Sequence, residues 1–428
     1  MNTRELVVPL ASAEACDPGR FGLKAANLAQ LGRAGLPVPG GYCVDAAAYR
    51  MQLAALGLEQ HARAAFSAPD GAEARRHALA LKLGLMDRPI DAGVLAPLLA
   101  AWREVTAKRG SRGVVRSSAL VEDRAGSSFA GQFESFLDLD GETDFVTAVR
   151  ACWAALWSTR ALRYMATHDL DPADTAMALI VQPLVQAHAA GGGLSRSADD
   201  GMLINATRGL GDAIAQGEVA PDRYRLDRDG KLRESRAGRT GHAPGCAQHG
   251  IGARIATATG APCLTPAQAV ELGGYLRRAE DLIGVAVEIE WALDERGFKL
   301  LQARPLHVEP QAPVADEEWR RHPRLNGHPA GVGWTTGRAC VINCECELER
   351  VAPGDVLVTR AAGPALSAIL PRVAGVVAEL GGSTSHLASL ARERGIPMVL
   401  GVDEATQRIP DGAQVAVDGV AGVVRWMQ

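Results

Sequence analysis

Gly381-Gly382-Ser383-Thr384-Ser385-His386 opens a stretch with apolar residues at helical spacing that closes at Gly395. The two glycines permit a tight turn, and Ser383, Thr384 or Ser385 can cap a helix, which puts His386 in its first turn. The positive end of the helix dipole disfavours imidazolium there and leaves the neutral, nucleophilic ring. Free N–H groups and neighbouring hydroxyls would stabilise a phosphoryl group once it is attached. A histidine at a helix start can equally be a satisfied structural residue. The other nine of the ten histidines lie in no such setting and read as structural or surface residues.

A second set of chemistry-bearing residues runs from Val285 to Arg304. Two alternating stretches flank Glu295-Arg296-Gly297, the pattern of a β-hairpin with a glycine in its turn. With Asp294 opposite Phe298, Glu290 falls opposite Gln302 and Glu288 opposite Arg304, all on one face. Ile289, Trp291, Leu301 and Ala303 take the other. Two carboxylates, an amide oxygen and a guanidinium can hold Mg²⁺ while clamping a phosphate; they can also form a solvated face with cross-strand ion pairs. A third set is Val114-Val115-Arg116-Ser117-Ser118, followed by Glu122-Asp123 and Ser127-Ser128-Phe129-Ala130-Gly131-Gln132. Arg116 can present its fork to phosphate oxygens, and the Ser/Gly loop around Gly131 can offer backbone N–H groups. Lys24, in Phe21-Gly22-Leu23-Lys24-Ala25, could meet another phosphate from a helix start. Taken singly, such segments are also ordinary turns and solvated lysines.

The elements that must position these residues follow from pattern. Residues 22–36 read as a helix closed by Gly-Leu-Pro-Val-Pro-Gly, and 72–107 and 145–168 as long amphipathic helices. Strand-like runs lie at 113–116, 177–185, 202–206 and 285–293, and residues 306–325, with three prolines and no periodicity, read as a linker. From 326 onward, short strands with glycine turns surround one helix near 385–394. The 428 residues suggest two or three domains; aromatics are only 4%, so Ala, Val, Leu and Ile must build the core. Lys and Arg number 45 against 49 acids, a net charge of −4, so neither nucleic acid nor an anionic membrane surface is an expected partner. No apolar run approaches the roughly 18 residues of a membrane span, and Leu6–Leu10 is too short for a signal peptide. Eight dispersed cysteines, clustered only at Cys340, Cys344 and Cys346 without a second ligand pair, suggest a reducing, cytoplasmic setting rather than a disulfide framework or zinc site.

Together the segments resemble the phosphoenolpyruvate synthase and pyruvate phosphate dikinase family. Gly22–Gly41, Val115–Leu137, Gly209–Asp222 and Glu288–Pro305 are similar to its nucleotide-binding half. Residues 381–401, with Gly-Asp-Val-Leu-Val at 354–358 and the valine-rich close at 417–424, are similar to its phosphohistidine domain. The resemblance implies an α/β (α+β) chain: an ATP-grasp domain of two subdomains, 1–195 and 196–305, a linker at 306–325, and a small swivelling β/β/α phosphohistidine domain at 326–428. It implies that Lys24, Arg116, Gly131 and Arg304 contact ATP, that Glu290 and Gln302 bind Mg²⁺, and that His386 carries the phosphoryl group. Catalysis would rest on His386, Arg116 and Arg304. The chain departs from the family pattern at Gly22-Leu23, where two glycines are usual, at Ala190–Ser195, and at Asp212, where Glu is expected.

The activity implied is a dikinase-type transfer from ATP through His386, with release of AMP and phosphate, to a small-molecule acceptor or a separate acceptor-domain protein. The family's phosphoenolpyruvate synthases continue into a pyruvate-binding barrel, which the chain is expected to lack. Alternatives are a ligase that activates its substrate by the same chemistry, the ATP/His subunit of a split synthase, and a non-catalytic carrier phosphorylated by a partner kinase. Because His386 must load and then deliver, its domain is expected to swing about the 306–325 linker.

Overall fold

The Asp17 carboxylate accepts the Gly19 amide at 2.9 Å, and Pro18 follows at the first helical position, where a missing N–H costs nothing. These residues start α1 (Pro18–Arg33), which is interrupted at Gly22 (φ 76°, ψ 160°). The structure, a computed structural model, describes residues 5–67, 71–107, 111–122, 133, 135–167, 170, 175–197, 200–238, 261–306 and 319–427. It divides into two units, Met1–Gln186 with Lys299–Arg304, and Ala187–Phe298 with Pro305–Gln428.

The first unit is a five-stranded sheet of β1 (Val7–Pro9), β2 (Tyr42–Val44), β3 (Gly113–Ala119), β4 (Ser135–Leu139) and β5 (Met177–Pro183), in the order β1-β2-β5-β3-β4. Phe21, Ala25, Leu28 and Ala29 of α1 pack with Val8, Cys43 and Ile180 into one core. The helices expected at 72–107 and 145–168 are each two. After α2 (Ala46–Ala55) and α3 (Glu59–Ser67) come α4 (Gly71–Asp87) and α5 (Ala92–Val105). Pro89 biases its predecessor away from helical angles, and Asp91 caps the new start through the Gly93 amide at 2.9 Å. Likewise α6 (Glu142–Ala155) gives way to α7 (Thr159–Thr167), where Ser158 Oγ accepts the Ala161 amide at 3.1 Å.

The second unit holds two sheets. One runs β11-β10-β6-β7-β8-β9, from β6 (Ala189–Leu194), β7 (Met202–Arg208), β8 (Asp222–Leu226), β9 (Leu232–Arg236), β10 (Val287–Asp294) and β11 (Gly297–Pro305), of which Lys299–Arg304 are counted with the first unit. After the short α8 (Asp212–Ala215), α9 (Pro266–Ile283) is opened by a Thr265–Gln268 capping box and closed by Gly284 at φ 83°. A Cβ on Gly193 would lie 3.1 Å from Leu276 of α9 and 3.5 Å from Ile289, so α9 covers the Ile289 face. With β6 paired to β10 and β7, the first unit ends at 186/187, and it includes residues 299–304.

The other sheet has eight strands: β12 (Arg324–Asn326), β13 (His328–Pro329), β14 (Trp334–Ile342), β15 (Val356–Thr359), β16 (Gly375–Ala378), β17 (Met398–Leu400), β18 (Gln414–Asp418) and β19 (Val423–Trp426). β14 is its pivot, antiparallel to β18 through 334–338 and parallel to β15 through 339–342. Val356, Val358, Val377, Val399, Val417 and Trp426 fill the core beneath it. The parallel pair β16 and β17 is connected through α10 (His386–Glu393), as a parallel crossover requires, and α11 (Ala405–Arg408) follows. The expected linker lies largely outside the described residues, at 307–318 with Pro310 and Pro313. Residues 305–428 are counted with 187–298 in the second unit.

Candidate active site

In the first unit, chemistry gathers at the end of β3. A Cβ on Gly22 would lie 2.6 Å from Ser118 Oγ and 2.7 Å from Ser118 O, and its φ of +76° is one that glycine adopts without strain. This close approach lets Ser118 Oγ donate to Phe21 O at 2.6 Å and accept the Ala25 amide at 3.2 Å. Lys24 is thereby fixed, its Nζ 2.7 Å from Glu122 Oε1, with side chains only 7% and 6% exposed. The other Glu122 oxygen accepts the Ala119 amide at 3.2 Å. Arg116 donates to Leu301 O at 2.5 Å and to Gln302 Oε1 at 3.3 Å. Arg304 is buried in the same unit. The unit therefore brings Arg116 to Gln302 and Lys24 to Glu122. Sequence reasoning gives Glu122 no role; the signal that could have found it is that a buried lysine needs a carboxylate partner. Gly131, Asp123, Ser127 and Ser128 lie outside the described residues.

In the second unit, strand register defines one row of side chains. Glu290 pairs with Gly192, Gly192 with Asn205, and Asn205 with Arg223, so all four share the face opposite α9. Glu288, two residues along β10, shares it too. The loop before α10 is seated on this face. A Cβ on Gly192 would lie 2.5 Å from Thr384 Cβ, and one on Gly382 would lie 3.2 Å from Asn205 Oδ1 and 2.7 Å from Pro221 Cγ. Gly381 N donates to Val219 O at 2.9 Å.

Helix α10 begins at His386, capped by Ser385, whose Oγ accepts the Ala388 amide at 3.3 Å; Gly395, at φ 65°, follows its end. Its inner face carries a buried ion pair. Arg392 Nη2 donates to Glu288 Oε2 at 2.9 Å, Ser389 Oγ donates to the same oxygen at 3.1 Å, and Arg392 Nη1 donates to Ser383 O at 2.6 Å. The helix that begins at His386 is thus docked on Glu288. The expected pairing of Asp294 with Phe298 also fails. It would put Phe298 and Trp291 on opposite faces, yet their rings meet edge to face at 5.5 Å, with Tyr275 of α9 6.2 Å from Phe298. At the other end of the strands Leu306 N donates to Ala286 O at 2.7 Å, which keeps the expected register there, so the one-residue departure lies toward the turn. Behind the sheet, burial pushes the Glu280 carboxyl up, but hydrogen bonds from Arg228, Ser195 and Arg196 outweigh it and hold the group below its ordinary value.

Residues 19–324, which run from α1 through β11, match the family described as pyruvate phosphate dikinase, AMP/ATP-binding domain. The chain belongs to the phosphoenolpyruvate synthase and pyruvate phosphate dikinase family. Residues 351–422, which include His386, match the family described as PEP-utilising enzyme, mobile domain. The nucleotide-binding part is accordingly an ATP-grasp domain. The chain is 30% identical over 423 residues to the probable phosphoenolpyruvate synthase of Methanothermobacter thermautotrophicus, covering 95% of this chain and 61% of that protein. It is also 30% identical to the phosphoenolpyruvate synthases of Pyrococcus furiosus and Neisseria meningitidis serogroup B, over 94% and 95% of this chain and 56% of each relative. It therefore spans 56% to 61% of the length of these curated relatives. Among the described residues, no helix is long and apolar enough to cross a membrane.

Proposed function

We propose that the protein is an ATP-dependent, AMP-forming phosphotransferase working through a phosphohistidine at His386, with a small molecule or a separate acceptor protein as the final acceptor. The observation that carries the reading is the seating of the His386 loop, through Thr384 and Gly382, on the sheet row that holds Glu290. Lys24, Arg116 and Arg304 hold the triphosphate, and Gly131 is a further nucleotide-binding residue. The carboxylate of Glu290 and the amide oxygen of Gln302 are hard oxygen donors of the kind Mg²⁺ takes together with substrate phosphates, so this donor set fits the ion. When bound, it would neutralise charge on the phosphate oxygens.

The neutral ring of His386 attacks the β-phosphorus. The bond to the AMP oxygen breaks, AMP leaves with the electron pair, and a pyrophosphoryl-histidine remains. Water or phosphate then takes the terminal phosphoryl group, and phospho-His386 passes the remaining one to the acceptor. Splitting one transfer into two nucleophilic steps suits a weak acceptor. The description of residues 351–422 as a mobile domain supports delivery by movement of the His386 domain. The test is His386→Asn incubated with ATP labelled in its β-phosphate. No labelled protein and no AMP are expected, whereas AMP formed at the wild-type rate would overturn the reading.

A further inference from the structure

Asn205 is fully buried, and neither Oδ1 nor Nδ2 has a hydrogen-bond partner. A buried amide left in this way is costly, so an orphaned one calls for a ligand. Thr384 Oγ1, in the loop seated on the neighbouring Gly192, is also buried without a partner. The orphaned atoms therefore lie at one place, between β6–β7 and the His386 loop. The place is built. Gly192 and Gly382 lack the side chains that would fill it, and a methyl group at Gly192 would lie 2.7 Å from Thr384 Oγ1. It stands in the row of Glu290 and Arg223, one strand beyond Gly192. A carboxamide N–H and the hydroxyl of Thr384, two residues before the nucleophilic His386, are donors suited to an anion.

We propose that Asn205 Nδ2, with Thr384 Oγ1, donates hydrogen bonds to the oxygens of the phosphoryl group as it passes between ATP and His386 in the docked state. The proposal rests on the phosphohistidine reading above. It assigns to β7 a phosphoryl-contacting side chain outside the segments that hold the nucleotide.

The experiment uses the full chain and ATP labelled in its β-phosphate, with single-turnover labelling of the protein and ATP affinity by calorimetry measured separately. Asn205→Ala should slow labelling by roughly 100- to 1,000-fold while ATP affinity stays within about 3-fold, since removing one such donor costs on that order in a transfer step. Asn205→Asp keeps the shape, replaces the donor by an acceptor, and should be slowed at least as much; it serves if the alanine variant does not fold. Labelling of either folded variant within about 2-fold of wild type overturns the proposal. So does a parallel loss of ATP affinity, which would place Asn205 in the nucleotide site. Wild type and His386→Asn run alongside separate the two ideas. Labelling that persists in His386→Asn sinks the phosphohistidine reading, whereas its loss there with full labelling in both Asn205 variants sinks only the Asn205 proposal.

Discussion

The phosphate-facing cluster of the first unit and the histidine loop of the second handle buried polar groups in opposite ways. Around Lys24 and Arg116 the protein supplies its own counter-groups: Glu122 for the ammonium, Leu301 O and Gln302 Oε1 for the guanidinium. Around His386 the charged members Glu288 and Arg392 are paired, but Asn205 and Thr384 are left with orphaned atoms. Charges cost far more than neutral dipoles when buried alone, so a fold can leave an amide waiting where it cannot leave an ion. Here the resident ion pairs hold the sites together, and the orphaned atoms of Asn205 and Thr384 mark where we place the incoming phosphoryl group.

The largest stability effects should come from the two ion pairs. Glu288→Ala leaves Arg392 buried without its carboxylate and should cost about 3–5 kcal/mol, as should Lys24→Ala by stranding Glu122. Urea unfolding checks both. Adding Arg392→Leu to Glu288→Ala should recover part of the loss, because removing both members of a buried pair is far milder than removing one. If either single variant unfolds at the wild-type midpoint, that pair is not a buried counter-charge arrangement and the contrast between the regions weakens.

A smaller effect is expected at Gly22. Alanine there would need φ near +76° and a Cβ 2.7 Å from a backbone oxygen of β3. The chain must shift, loosening the clasp of Ser118 on Phe21 and Ala25 that fixes Lys24. A loss of roughly 1–3 kcal/mol with weakened ATP binding is expected. Unchanged ATP affinity would show that the Lys24 position does not depend on this approach.

What could be read from the sequence was mostly local. The cap, turn and end of α10 are written in adjacent residues, and β3, β5, β7 and β10 announce themselves by β-branched runs. Strand β6 was hidden, because Ala189-Ala190-Gly191-Gly192-Gly193-Leu194 has no strand propensity and is held by its neighbours on both sides. The splitting of 72–107 and 145–168 turned on single residues, Pro89 with Asp91 and Ser158, inside otherwise continuous apolar patterns. Glu122, Arg392 and Asn205 were illegible for another reason. Their partners are brought to them by tertiary contacts that no window of sequence contains, 104 residues away for Arg392 and Glu288.

The smallest effect tests how finely the two helix starts are tuned. Asp17 caps α1 at the surface, whereas Ser385 caps α10 from a fully buried position beside the orphaned Thr384. Replacing a capping Ser or Asp by alanine costs typically about 1 kcal/mol. Asp17→Ala should show little more than that, since water can reach the freed Gly19 amide. Ser385→Ala should cost toward the upper end, about 2 kcal/mol, because no solvent reaches the Ala388 amide it leaves behind. It should also slow labelling of His386, which sits next to the lost cap, whereas Asp17→Ala should leave labelling alone. Equal stability losses would show that burial of the second cap adds nothing. Unaltered labelling in Ser385→Ala would show that the start of α10 is held by Arg392 and Ser383 rather than by its own hydroxyl.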